Sequence, residues 1–335
     1  LSELTPTDPA FHDCLIYLLD KPCQNQRVLI QVLAKLKVTK ALPKIKYIFD
    51  QSVDFPNVRG AAIAALYKLN NQKMYIHEIR QNLLSHNQND RQSAVQDVID
   101  SGCIDLLPQV VKTPVSPFFR LRAVNILWNL NNKINNIELL DSLIIDHPKD
   151  ISLIHSYDQN KSPNFLINEF YNTDFGKAYL ALINLSRFSQ DEIWPYLYNQ
   201  LSCLRRDYGA IYFVVILFRL VPEWDNDRLL VILDFLYSLI DSSWPDFMKF
   251  RPATILTLIH LNSSKSLDYL PNWLDYKKTS YWASRYAALV GIEVILSRRN
   301  CKQFIHQIDL PVLDVHPFIR QKSIQLCNKK QKPQN

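Results

Sequence analysis

Glycine is scarce: the chain has 5 in 335 residues, roughly 1.5% against about 7% in average usage. Gly60, Gly102, Gly176, Gly209 and Gly291 lie far apart, whereas phosphate-cradling and dinucleotide-binding turns need two or three glycines within about eight residues. Both turns are therefore excluded, and tight β-hairpins lose their favoured residue. Long hydrophobic runs are also missing. The longest, Gly209 to Phe218, ends at Arg219 and falls well short of the roughly 20 residues that span a bilayer, so no membrane insertion is expected. Neither sign of charge dominates: 38 basic against 32 acidic side chains leave a net charge of +6. The basic residues cluster only at Arg298-Arg299 and at Lys329, Lys330 and Lys332, which read as solvated ends rather than a nucleic-acid surface.

Metal and nucleophile patterns are absent as well. The six cysteines, Cys14, Cys23, Cys103, Cys203, Cys301 and Cys327, include no CxxC pair and read as buried or free thiols of a reducing, cytoplasmic compartment. The eight histidines form neither HExxH nor a close Cys/His cluster, so no metal site is expected. Di-iron hydroxylases built on HEAT repeats need several His-Glu pairs, and only His77-Glu78 occurs. His155-Ser156 with Asp158 lacks the strained elbow that exposes a nucleophilic serine. No signal-peptide pattern opens at Leu1, and since the first residue is not Met, the reading leaves room for a native stretch before it.

What the chain does contain is a repeat. A proline or aromatic residue is followed three positions later by arginine and then by an alanine-rich apolar stretch: Pro56 to Arg59, Pro117 to Arg120, Trp282 to Arg285 and Pro317 to Arg320. Weaker copies begin near Arg91, Phe175, Asp207 and Phe250. Placing these eight positions in register puts a small residue three further on each time: Ala62, Ala94, Ala123, Ala178, Ala210, Ala253, Ala288 and Ser323. The spacing is mostly 29 to 35 residues, the length of a helix-pair repeat. The intervals from Arg120 to Phe175 and from Asp207 to Phe250 are longer, and the first, which holds Asp146-His-Pro-Lys-Asp150, has room for a degenerate repeat.

Leu-Pro or Trp-Pro steps at Pro43, Pro108, Pro195, Pro271 and Pro311 precede many of these helices and predict outer helices that a proline starts or kinks. Apolar residues recur every three to four positions in the inner helices, as in Ala288, Ile292 and Ile295, and so form one buried stripe. No strand alternation is visible. The expected fold is all-α, an α/α superhelical solenoid of HEAT-like helix-pair repeats. It would hold about eight to nine pairs over residues 1–328, irregular near 130–170 and 220–248, followed by a basic tail at 329–335.

Two segments narrow this further. Tyr281-Trp282-Ala-Ser-Arg285-Tyr286-Ala-Ala-Leu-Val-Gly291-Ile-Glu293 resembles the W-x-x-RYAA-x-x-G-x-E stretch of the E/F-type phycobilin lyases, and Arg206-Asp207-Tyr208-Gly209-Ala210 resembles their DYGA segment. The repeats themselves resemble the HEAT-like variety named after phycobilisome lyases. The resemblance implies an enzyme that binds a phycobilin, phycoerythrobilin being the expected one, as substrate rather than as a tightly bound cofactor; the chain's length is closer to the family's single-chain phycoerythrin lyases than to its shorter two-subunit enzymes. It also implies attachment of that bilin through a thioether to a cysteine of a phycobiliprotein subunit, phycoerythrin being the expected partner. Some members also isomerise the bilin to phycourobilin.

Under that resemblance Asp207 and Tyr208 are the catalytic candidates. A carboxylate can hold the protonated pyrrole system while a phenol exchanges a proton, and Gly209 leaves room for a flat ligand. Asp207 as a helix cap is the competing reading. Arginine suits the two bilin propionates, and Arg206 and Arg285 adjoin the family-like segments; Arg59 and Arg120, which recur by repeat, read as loop anchors. Tyr212, Trp282 and Tyr286 are candidate walls of the bilin site, with core packing as the alternative. Glu293, two turns beyond Arg285, is expected to pair with a neighbouring repeat. The competing class is a non-catalytic HEAT-repeat scaffold, or a bilin chaperone, that binds phycobiliproteins.

Overall fold

The computed structural model describes residues 8–20, 25–130, 137–201, 207–241, 248–261, 263–297 and 310–331. Among these residues every regular element is a helix, with no strand. The chain divides into two compact units, Leu1–Ile134 and Asn135–Asn335. The first holds α1 (Pro9–Leu18), α2 (Gln26–Lys35), α3 (Leu42–Gln51), α4 (Pro56–Asn70), α5 (Ile76–Asn82), α6 (Gln88–Ser101), α7 (Leu107–Lys112) and α8 (Pro117–Leu130). The second holds α9 (Ile137–Ile145), α10 (Pro163–Asn168), α11 (Phe175–Leu185), α12 (Gln190–Leu201), α13 (Tyr208–Leu220), α14 (Asn226–Ile240), α15 (Arg251–Leu261), α16 (Ser263–Leu274), α17 (Trp282–Ser297) and α18 (Pro317–Gln331).

Helix starts follow the local chemistry of the chain. Pro56 opens α4 at the position where a missing N–H costs nothing. Asn87, Asp174 and Asp225 cap α6, α11 and α14 with side-chain oxygens that accept a backbone N–H of the first turn. Gly102 ends α6 at φ +73°, a left-handed position that glycine fills without strain. Pro43 and Pro108 lie in the first turn of α3 and α7, each after a short 3-10 turn, whereas Pro195 and Pro271 lie inside α12 and α16. Proline thus starts two outer helices of the first unit, α3 and α7, and lies inside two of the second.

All eight register positions fall at the N-cap or within the first four residues of an inner helix, namely α4, α6, α8, α11, α13, α15, α17 and α18. In the first unit α2, α4, α6 and α8 stack in a row, with α3, α5 and α7 outside it. In the second, α11, α13, α15, α17 and α18 form the row, flanked by α10, α14 and α16. Helix pairs stacked with short connections make the repeat array expected from the sequence. Small residues let the rows close. A Cβ at Gly60 of α4 would collide with the Asp97 carboxylate, and Asp97 reaches past that glycine from α6 to Arg27 of α2 at 2.6 Å. Among the described residues no helix is long and apolar enough to cross a membrane, and Cys14, Cys103 and Cys327 are free thiols.

The long interval after α8 is not filled by a further helix pair. Its α10 is the outer partner of α11, while α9 packs on α15, α17 and α18. Since α15 and α17 already have row neighbours on both flanks and outer helices behind, α9 lies across their remaining face. Leu140, Leu143 and Ile144 are buried there, and the turn that follows, Pro148–Asp150, rests on α11.

Candidate functional site

The Asp207-Tyr208-Gly209 turn opens α13. Asp207 is in the extended region, and its Oδ1 accepts the N–H groups of Gly209 and Ala210, each at 2.9 Å. That cap satisfies two of the donors a helix start leaves open and fixes the carboxylate at the positive end of the helix dipole. Apart from its chain neighbours and its own helix backbone, a Cβ placed on Gly209 would meet, among the described residues, Asp207 Oδ1 at 3.3 Å and the Phe175 ring tip at 4.0 Å. A flat group could approach this backbone closely. Tyr208 is half-buried, with Lys249 Nζ 4.1 Å from its ring centre. Arg206 lies outside the described residues. The same turn occurs one repeat earlier as Asp174-Phe175-Gly176, where Asp174 Oδ1 accepts from Gly176 N at 2.8 Å.

The Trp282 to Glu293 segment forms most of α17, and its side chains are used within the protein. Arg285 is buried; its guanidinium forks onto Asp314 at 2.9 Å through both Nε and Nη2 and gives Nη1 to the carbonyls of Thr279 and Ser280. As it stands, Arg285 anchors loops rather than offering a cation to a ligand. Trp282 is half-buried and stacks on His316, with centroids 4.7 Å apart and planes 7° apart. Burial, followed by the charge of Arg285, pulls the His316 imidazole down to about 4. Tyr286 is buried and donates to Asp141 Oδ1 of α9 at 2.8 Å, its own phenol pushed up by burial and by the Asp141 charge.

Around that contact a polar cluster forms. Lys322 of α18, fully buried, reaches Asp141 at 2.6 Å and also Glu293, so Glu293 does pair with the neighbouring repeat. Burial pushes the Asp141 carboxyl up from the usual range, against the opposing pull of Lys322 and Tyr286. Five residues along, Asp146 adopts φ +45° and is buried. Tyr179 of α11 and Tyr212 of α13 both donate to its Oδ2. Arg219 of α13 donates to the carbonyl of Ile145. A left-handed backbone at a residue other than glycine is uncommon, and here two phenols hold it in place.

The structure therefore brings Tyr286 and Glu293 together, and separately directs Tyr212 onto Asp146. The helices that carry the two family-like segments, α13 through Tyr212 and α17 through Tyr286, both reach the stretch 141–146. No hydrogen bond or ion pair joins the Asp207 turn to the Trp282–Tyr286 stretch among the described residues. Asp141, Asp146, Tyr179, Asp314 and Lys322 escape sequence reasoning because each is a single polar residue far along the chain from its partner. The one available signal was Asp146-His-Pro-Lys-Asp150, a polar run inside an over-long interval. No group of three or more His, Cys, Asp or Glu side chains that could hold a metal occurs among the described residues.

The fold and these contacts define the class: an α-helical repeat protein whose inner helices carry a capped Asp-Tyr-Gly turn and a buried polar network. Bilin biosynthesis protein CpeY of Synechococcus sp. (strain WH8020) is 36% identical over 298 residues, which is 88% of this chain and 71% of the relative. Uncharacterized phycocyanin operon protein Y of Pseudanabaena tenuis (strain PCC 7409) is 30% identical over 318 residues, 92% of this chain and 73% of the relative. No protein-family model matches the chain. With two relatives at these identities and coverages, the chain belongs to the E/F-type phycobilin lyase family.

Proposed function

We propose that the protein attaches a linear tetrapyrrole, phycoerythrobilin, to a cysteine of a phycoerythrin subunit through a thioether. The relationship to a bilin biosynthesis protein, 36% identity over 88% of the chain, carries this reading. In the attachment step the acceptor thiol adds across an exocyclic double bond of the terminal ring. A C–S bond forms, the thiol proton ends on the tetrapyrrole, nothing leaves and no external oxidant takes part. The protein's task is to hold the tetrapyrrole and manage that proton.

The Asp207 turn suits the task. Oδ1 is taken by the cap, which leaves Oδ2 for a pyrrole N–H, with Tyr208 beside it to exchange a proton and the bare backbone of Gly209 beneath a flat ring. Arg206 would meet a propionate, and Tyr212, Arg285 and Tyr286 would support the site by holding α9 and the loops in place.

The test is co-expression of the chain with a bilin-synthesis pathway and phycoerythrin subunits, with covalent bilin read by absorption and fluorescence on a denaturing gel. Asp207→Asn is the informative variant, because asparagine caps a helix as well as aspartate does but carries no charge. Attachment should fall by at least about 100-fold, the scale of a lost acid–base group, with subunit binding intact. An absorption band moved to shorter wavelength in the wild-type product reports isomerisation. Absence of both covalent attachment and copurifying bilin would sink the proposal and leave a scaffold.

A further inference from the structure

A cleft of about 670 Å³ runs along α11, within the range of small-molecule sites. One wall is the helix face of Leu180, Asn184 and Arg187; the other is the stretch 153–160, which includes Leu153, His155 and Tyr157. His155 packs directly over Gly176, where a Cβ would lie 3.0 Å from the imidazole Cδ2. Its Nε2 stands 3.0 Å from Asp174 Oδ2. Asp174 therefore uses one oxygen to cap α11 and the other to orient a nitrogen heterocycle that rests on a bare glycine.

Two further groups along the cleft are uncommitted. The Tyr157 hydroxyl is buried with no hydrogen-bond partner, a state that costs free energy until something fills it. Burial pushes this phenol up to about 12, so near neutral pH it is a donor. Arg187 is exposed at the far end, and its guanidinium has no ion pair or hydrogen bond among the described residues. Lys161 Nζ lies 5.9 Å from the Tyr157 ring centre and adds a second cation beside it.

The complementary ligand must offer a carboxylate to Arg187, a carbonyl oxygen to Tyr157, nitrogens to His155 and an apolar plane to Leu153 and Leu180. A linear tetrapyrrole has all four, in its propionates, terminal lactams, pyrrole rings and conjugated plane. We infer that this cleft holds the tetrapyrrole, with Arg187 on a propionate, Tyr157 on a lactam oxygen and His155, oriented by Asp174, on a pyrrole nitrogen. The inference rests on the function proposed above and extends the bilin site from the Asp207 turn onto the neighbouring Asp174 turn, whose Phe175 ring tip lies 4.0 Å from a Cβ placed on Gly209.

Purified full-length protein titrated with phycoerythrobilin, and with its dimethyl ester, tests the site through the bilin's absorption and fluorescence. Arg187→Ala should weaken binding of the free acid by about 10- to 100-fold, the scale of a charge-assisted bidentate contact, and leave the ester within about 2-fold. Tyr157→Phe should weaken both ligands about 5-fold. Arg187→Ala should leave the melting temperature unchanged, since its guanidinium has no hydrogen bond or ion pair to lose among the described residues, and Tyr157→Phe, which keeps the ring and removes only an unpaired hydroxyl, should leave it unchanged or raise it. If wild type binds bilin and both variants bind it equally well, the cleft is not the site although the lyase reading stands. If wild type binds no bilin, the lyase reading itself fails.

Discussion

Five arginines, Arg59, Arg91, Arg120, Arg285 and Arg320, occupy the fourth residue of an inner helix, and each donates to a carbonyl either of the loop that precedes its helix or of the last turn of the preceding outer helix. Arg59 reaches Phe49 O, Arg91 reaches Ser85 O and His86 O, Arg120 reaches Val111 O, and Arg320 reaches Asp314 O and Val315 O. Recurrence made this role legible, because a residue needed once per repeat serves the repeat. Arg285 shares the role although its neighbours in sequence pointed to a ligand; its partner Asp314 occurs once, in a loop, with no pattern to announce it. His316 gives this corner a pH dependence. The unfolded chain takes up a proton near the ordinary value of 6.5, while the folded chain refuses it until about 4. Stability is then full above pH 6.5 and is lost as pH falls from 6.5 towards 4. Urea denaturation at pH 7 and pH 5 should show this loss in wild type and a flatter profile in His316→Gln. Equal slopes would assign the acid sensitivity to other groups.

Among elements, the phasing of small residues located every inner helix but α2. There Ile30 stands three residues after Arg27, where the other inner helices carry alanine or serine. The glycine of the W-x-x-RYAA-x-x-G-x-E-like segment has a structural reason. A Cβ on Gly291 would run into the Ile259 side chain, where α17 crosses α15. Gly291→Ala should cost about 1–3 kcal/mol from overpacking. Adding Ile259→Ala should return part of it, giving a double-mutant coupling above about 1 kcal/mol in chemical denaturation. Strict additivity would mean that the two helices part without resistance. Helix α9 was not legible. Its apolar residues fit an inner or an outer helix equally well, and only contacts with α15, α17 and α18 show that it is neither.

For the molecule as a whole, scarce glycine, the absence of strand alternation and the repeated helical period made the all-α class legible, and two short segments pointed to the family. The polar network lay beyond sequence reasoning because its members are distant: Lys322 meets Asp141 across 181 residues. Removing this lysine strands two carboxylates against each other, a loss of about 3 kcal/mol or more for a broken buried pair. In Lys322→Ala, hydrogen exchange should quicken through α9, α15, α17 and α18, while α4 and α6 of the other unit keep their protection. Quickening confined to α18 would reduce the contact to a local one. The same contact bears on how the second unit is made. An open repeat array can nucleate anywhere and grow by local steps, but here the first helix of the unit is fastened to the last. During synthesis α9 emerges well before its docking surface exists, and it waits with three large apolar side chains uncovered until α15 and α17 have been added, and without its Lys322 partner until α18 has followed. Closure of so long a loop belongs to slow, high-contact-order folding, and the interval before it is when this unit is most open to aggregation and most in need of a chaperone.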